Sequence, residues 1–436
     1  MKKMYLILSV CCGIQAAQAQ VWFNNGAVVG ITDNCAVIAN GSVRNGATSQ
    51  LSNKGDFHIE GNFENDLGAT ADGFSSGLGN YRVRDNWVNN GVFNADQSSV
   101  YLSGATQQIT GNNVTTFHNL ITETPGSVKT QTIDANVKGV LTLNQNELAT
   151  ADYILTIQNA SPAAIVQNGV NSAFVSSTNN GRLVRNTNST QEYIFPTGIQ
   201  NAAAAKIREL SVTPTNADPR SYSVRYAENP GTSNTTTADG YNIANKAGTV
   251  TLVNDNFYHL VRSSDQAPAA LSIFYDKAQD NTWKGIGRWQ NVPEWQDLAS
   301  VTESAGQAGS GRFRLSKSAW IPSIKDTAYA LINTQDVKVD FNFPTVFAPG
   351  STSAKPEDTY FTIINQADLV TLEELSVFNR WGEMVFNSKR DGTDRWNGQY
   401  QGKLQQQANY VFLATVRNKQ SGALYPTVTG NVALVW

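Results

Sequence analysis

Gly55-Asp-Phe57-His-Ile59-Glu-Gly61-Asn62-Phe63-Glu-Asn65 is followed, about 24 residues on, by Gly79-Asn-Tyr81-Arg-Val83-Arg-Asp85-Asn86-Trp87-Val-Asn89. Gly55/Gly79, Asn62/Asn86 and Asn65/Asn89 coincide, and Phe57/Tyr81, Ile59/Val83 and Phe63/Trp87 place apolar residues at matching points. A fainter copy, Gly41-Ser-Val43-Arg-Asn45, stands about 20 residues before Gly61. Within each copy apolar and polar residues alternate with a period of two, the pattern of a strand with one buried face. A repeat of this length fits one turn of a β-solenoid, in which each coil buries its inward residues only against the next. A meander of antiparallel strands produces the same alternation, so residues 20–124 are read as a solenoid-like or meander repeat region.

The rest of the chain is equally β in character. It is rich in Gly, Asn, Thr and Val, and stretches of helical period are scarce. Residues 125–336 read as a β-sandwich, with one short helix expected over Asn201 to Leu210 because of the run Ala202 to Ala205. The fold class is therefore all-β, in two to four domains for a chain of 436 residues. Charge excludes some partners. The formal net charge is −3 and no Lys/Arg stripe is present, which argues against nucleic acid and against an anionic membrane surface.

The first 19 residues read as a secretory leader. Lys2 and Lys3 precede a short apolar run, and Ala17-Gln-Ala19 supplies the small-residue cleavage pattern, so the cut is expected before Gln20. The apolar run is too short for an integral membrane span. Cys11 and Cys12 would leave with the leader, and Cys35 alone cannot form an intramolecular disulfide.

At the other end, residues 341–436 carry the hairpin pattern Leu375-Ser-Val-Phe-Asn-Arg-Trp-Gly-Glu-Met-Val-Phe386, then Trp396-Asn-Gly398, Tyr410-Val-Phe-Leu and a final β-rich run to Trp436. Gly382 supplies the turn, and Val432, Leu434 and Trp436 fall on one face of an expected last strand. A small Ig-like β-sandwich is the economical solution for about a hundred such residues. The segment resembles the gliding-motility-associated C-terminal domain, the type B sorting signal of the type IX secretion system of Bacteroidetes. The core Phe378-Asn379-Arg380-Trp381-Gly382 carries most of that likeness, supported by Trp396, Gly398, Tyr410, Val432, Leu434 and Trp436. The resemblance implies an exported protein of the cell surface or the exterior, adhesin-like or gliding-associated. Its implied partners are the type IX translocon and an outer-membrane β-barrel that receives the type B signal.

Motifs for chemistry are scarce. The three histidines, His58, His118 and His259, stand apart from any Cys or carboxylate at metal-ligand spacing, so no metal or other cofactor is expected. No Gly-x-Ser-x-Gly elbow, P-loop or His-Glu-x-x-His occurs. A non-catalytic protein is the main reading. The alternative is a carbohydrate-binding module or hydrolase centred on Trp283, Trp289 and Trp295, whose even spacing could form an aromatic row for surface glycans. Core or loop-anchoring aromatics are the plainer expectation, since Gly285, Gly287 and Pro293 interrupt a strand. Asp326-Thr327-Ala328 resembles the O-glycosylation acceptor pattern of the same bacteria, with Thr327 as the acceptor.

Overall fold

The computed structural model describes residues 21–73, 79–177, 179–200, 205–228, 239–290, 292–335, 341–352, 356–364, 369–419 and 424–436. The expected cleavage residues Ala17, Ala19 and Gln20 lie outside them. Strands make up 53% of the chain, helix 3%, and the N-terminal part is a β-solenoid of about 8 turns. The chain divides into two compact units, Met1–Leu298 with Thr302–Asn333 and Ala299–Val301 with Thr334–Trp436.

Each solenoid coil contributes three short strands, and successive coils pair in parallel. Trp22–Asn24, Val43–Asn45, Phe63–Asn65 and Trp87–Asn89 stack in register, as do Ala36–Ala39, Asp56–Ile59 and Asn80–Val83. The repeat read from the sequence is thus the coil itself: Phe57 lies opposite Tyr81, Ile59 opposite Val83 and Phe63 opposite Trp87. Parallel pairing selects the solenoid over the meander. Inward side chains from neighbouring coils meet directly, and Phe63 stacks on Trp87 at 4.4 Å between ring centroids. Each such side chain, fully buried, stabilises the stack by roughly 1.5–3 kcal/mol.

The asparagines of the repeat form a second, polar spine. Asn24, Asn45, Asn65 and Asn89 are all buried. The Nδ2 of Asn24 donates to Oδ1 of Asn45 (2.9 Å), Asn45 to Asn65 (3.0 Å) and Asn65 to Asn89 (3.0 Å). The second amide proton of Asn45 goes to the Thr70 carbonyl and that of Asn65 to the Val92 carbonyl. A buried amide must find partners, and an in-register stack supplies them from one coil to the next.

The coils do not stop near residue 124. Thr106–Thr110, Val128–Gln131, Glu147–Ala149, Phe174–Ser176 and Thr197–Gln200 continue the first sheet in parallel, so the solenoid takes in the first third of the region expected to be a sandwich. Stacking needs inward alternation and coil length, not the Asn- and Gly-rich phrases that end near Thr122. Buried Gln107, Lys129 and Gln131 fill interior positions in these coils. The helix expected over Asn201 to Leu210 is corrected for residues 205–210, while residues 201–204 lie outside the described residues. Ala205–Ile207 is a strand paired antiparallel to Thr197–Gln200, and Leu210–Pro214 is a second strand. In residues 205–207 cross-strand pairing decides the conformation.

The solenoid passes into an antiparallel sandwich without a break in its sheets. Arg182–Thr187 pairs in parallel with Ile154–Ile157 on one edge and antiparallel with Arg220–Glu228 on the other. Phe257–Ser263, Thr327–Thr334 and Gly285–Trp289 extend this sheet. The facing sheet includes Tyr193–Phe195, Leu210–Pro214, Ala269–Tyr275 and Phe313–Trp320. Trp320 joins the layers, lying against Tyr222 and donating from Nε1 to the Tyr329 hydroxyl at 3.1 Å. Two buried ion pairs, Arg208–Asp280 and Arg312–Glu209, lie at this junction, and Arg312 also reaches Asn171 and the Val170 carbonyl of the last coils.

The C-terminal unit is built on a five-stranded sheet in the order Val346–Phe347, Val428–Leu434, Ala408–Asn418, Val370–Phe378, Met384–Asn387. Its inner face packs Phe347, Leu375, Val377, Phe412, Val432 and Leu434 against Phe361 and Trp396. Phe361 and Trp396 face each other through a two-way backbone bridge. The last strand ends at Leu434, two residues earlier than the alternation suggests, so Trp436 stands outside it.

Candidate functional site

Asn379-Arg380-Trp381-Gly382 closes the hairpin between Val370–Phe378 and Met384–Asn387. The Gly382 N–H donates to the Asn379 carbonyl and the Asn379 N–H to the Glu383 carbonyl, both at 2.9 Å. The Asn379 side chain holds the loop from within: Oδ1 accepts from the N–H groups of Trp381 and Glu383, and Nδ2 donates to the Glu383 carboxylate. Gly382 has φ +77° with open space around it, so glycine is required by the backbone and not by crowding. This turn holds Trp381 out in solvent, 79% exposed, with the Arg380 guanidinium 5.1 Å from its ring.

The other residues predicted for sorting divide sharply from it. Trp396 is 0% exposed, donates from Nε1 to the Gln399 carbonyl and packs on Tyr410 at 4.9 Å. Tyr410, Val432 and Leu434 are buried too, while Phe378 and Asn379 are half-buried. Gly398 has φ +77°, and a Cβ there would lie 2.6 Å from Pro349 and 3.0 Å from Leu434. These residues build the domain; Arg380, Trp381 and Trp436 are the ones a partner can reach.

Sequence reasoning missed a short hairpin, Gln399–Tyr400 with Lys403–Leu404, turned by Gln401 and Gly402 at positive φ. Lys403, Leu404, Gln405 and Gln406 line a depression with Arg380 and Trp381. Trp436, 64% exposed, donates from Nε1 to the Gln405 carbonyl and accepts at its own carbonyl from Gln407. Both exposed tryptophans therefore flank residues 403–407. The only signal for this in the sequence is the dipeptide Gln401-Gly402, a hairpin turn between two polar pairs.

The aromatic row in the first unit is corrected. Trp295 is fully buried, Trp283 is nearly so, and Trp289 is the cross-strand partner of Trp295, with Tyr241 packed against both. Trp289 and Trp295 lie on two paired strands and Trp283 on the segment before them, so the spacing of six crosses element boundaries and these rings pack inward and do not form one exposed row. Glu303 is engaged by the Tyr275 hydroxyl and by Lys277, and Asp391 by the Asn387 N–H and Arg390. His259 is buried, donates from Nε2 to the Arg208 carbonyl, and has its pKa pushed down to about 4 by burial. Thr327 opens a strand, half-buried, with its hydroxyl donated to the Lys325 carbonyl and Asp326 paired with Arg182. Among the described residues no group of three His, Cys, Asp or Glu side chains is placed to hold a metal, and no helix is long and apolar enough to cross a membrane.

No curated protein and no solved structure matches the chain. Residues 343–427, which contain the exposed turn, the missed hairpin and most of the sheet beneath them, match the family model described as the CHU_C type IX secretion signal domain. The C-terminal unit is thus a type IX sorting domain, and the protein is one exported by that system to the cell surface or the extracellular space.

Proposed function

We propose that the protein is a non-catalytic, adhesin-like or gliding-associated protein of the cell surface, with the solenoid and sandwich as its displayed body. The sorting domain is of type B, recognised as a folded unit through Trp381, Arg380 and the hairpin beside them, and docks the chain at the outer-membrane machinery. Its partners are the type IX translocon and an outer-membrane β-barrel that receives the type B signal. Thr327 is the candidate glycan acceptor. The observation that carries the recognition reading is the contrast within the matched segment: its signature tryptophan, Trp381, is held out in solvent by a turn bonded through Asn379, while Trp396 is buried in the core. A large exposed aromatic with a neighbouring arginine is the usual composition of an interface anchor.

The test is expression in a host that carries type IX machinery, comparing the intact chain, a chain lacking residues 341–436, and Trp381→Ala. Surface protease accessibility and co-purification of outer-membrane proteins are the readouts. The reading requires that truncation abolish surface exposure and that Trp381→Ala weaken co-purification while the domain stays folded. A truncated chain that still reaches the surface would sink it.

A further inference from the structure

The two ends of the solenoid are finished differently. At the sandwich end, two of the solenoid sheets are continued by antiparallel strands, Arg220–Glu228 on Arg182–Thr187 and Ala205–Ile207 on Thr197–Gln200. Beside the third, which ends on Ile165–Asn168, Gln307 bonds to Gln167 and Arg312 to the Val170 carbonyl and Asn171. At the other end, Trp22–Asn24, Val28–Ile31 and Ala36–Ala39 pair only with the following coil among the described residues. Among the described residues no further coil covers their inward residues along the axis. Trp22, Val29, Val37 and Ala39 are half-buried, whereas their partners one coil on, Val43, Leu51, Phe57 and Ile59, are buried. Terminal coils of repeat proteins normally carry a polar cap, and exposed strand edges are normally guarded by Lys, Pro or a bulge. Residues 21–39 contain no Lys, Arg or Pro and a single charge, Asp33.

We propose that this open coil is an interface to a second copy of the chain, joined end to end about a two-fold axis. Three arguments select a second copy. The surface to be covered is an apolar coil cross-section, and the surface that covers each such cross-section elsewhere in the solenoid is another coil of the same make. The opposite end is occupied by the sandwich, so like ends must meet, which gives a closed, isologous dimer and not a filament. With one charge per coil, two copies approach with little repulsion. In that arrangement the edges of the three strands pair antiparallel across the axis, and Trp22, Val29 and Val37 of each copy close the core of the other.

Sedimentation velocity and light scattering on the chain beginning at Gln20 test this over a wide concentration range. The expected result is a dimer, elongated along the solenoid, with amide protection in residues 22–39 that falls on dilution. Val29→Lys places a charge in the open core and is expected to weaken dimerisation at least about tenfold. Ile38→Lys alters an exposed rim position, leaves the fold intact, and is expected to weaken it less. A wild-type chain that stays monomeric overturns the proposal. So does a dimer whose dissociation constant is unmoved by both substitutions in chains that melt as the wild type does, since its interface then lies elsewhere.

Discussion

The solenoid and the sorting domain are both β throughout, yet they are closed in opposite ways. Solenoid strands pair with partners about 20–24 residues away, coil after coil, so each contact is repeated and each coil depends only on its neighbours. In the sorting domain the last strand, Val428–Leu434, lies between Val346–Phe347 and Ala408–Asn418, so the sheet is completed only when the end of the chain arrives. Damage to the first is graded by position in the stack. Damage to the second is all or none.

The sharpest way to break that comparison is to delete residues 428–436. This removes an internal strand, frees Val346–Phe347, and takes Val432 and Leu434 out of the core. The sorting domain is expected to unfold completely and surface display to vanish. The solenoid unit, which has its own core, should keep its melting temperature. Calorimetry on the purified chain would show one transition lost and one unmoved; loss of both would mean that the two units fold as one.

Next in size are two tryptophans in the same domain. Trp396→Ala empties a fully buried site and is expected to destabilise the sorting domain by about 3–5 kcal/mol. Trp381→Ala removes a ring that is mostly in solvent and should move stability by no more than about 0.5 kcal/mol while impairing co-purification with the export machinery. Denaturant titration beside the pull-down separates the two; a large stability loss at Trp381 would make it a structural residue.

In the solenoid the corresponding contrast runs along the asparagine stack. Asn65→Ala strands the Nδ2 of Asn45, which loses one acceptor, the Oδ1 of Asn89 and the Val92 carbonyl, and is expected to destabilise the first unit by about 2–4 kcal/mol. Asn24→Ala, at the open end of the stack, gives up bonds to Asn45, Gln50 and the exposed Ala27 and should cost less, about 1–2 kcal/mol. Equal losses at both positions would show that the stack acts as one cooperative unit and not coil by coil.

The sequence disclosed the coil where the same residue types recur at the same points of successive coils. Asn65 over Asn89 and Phe63 over Trp87 are legible because a buried amide is satisfied by its like and an aromatic stacks well on another. Beyond residue 124 the same architecture carries Lys129 and Gln131 inside, each bonded to backbone carbonyls, and no phrase repeats. Parallel stacking fixes which positions point inward and leaves their identity free. The sorting motif was legible as a hairpin from its alternation and Gly382. Which of its aromatics faces solvent was not, since Trp381 and Trp396 differ only in what folds over them, and the hairpin at 399–404 is too short to leave a pattern. The spacing of Trp283, Trp289 and Trp295 misled for a related reason. A period of two has meaning within one strand, and these residues lie on two strands and the segment that precedes them.

A further contrast between the units concerns acid. His259 is buried beside the Arg208 carbonyl, and its folded pKa of about 4 lies below the ordinary value of 6.5. The unfolded chain therefore binds the proton more readily between those values, so stability of the first unit falls as pH drops from about 6.5 towards 4. At about pH 5 the loss is on the order of 1–2 kcal/mol. Burial raises the nearby Glu209 carboxyl, which works in the opposite sense by taking up its proton in the folded state first. In the sorting domain Glu374 and Asp391 are held below the usual carboxylate range by hydrogen bonds from Lys389 and Arg390 respectively, so its acid loss begins only near and below pH 4. Melting the intact chain at about pH 7 and pH 5 should lower the first unit's transition and leave the sorting domain's in place. In His259→Gln the first unit's shift between those two conditions should shrink; if it persists in full, the carboxylates and not the imidazole set the acid sensitivity of the body.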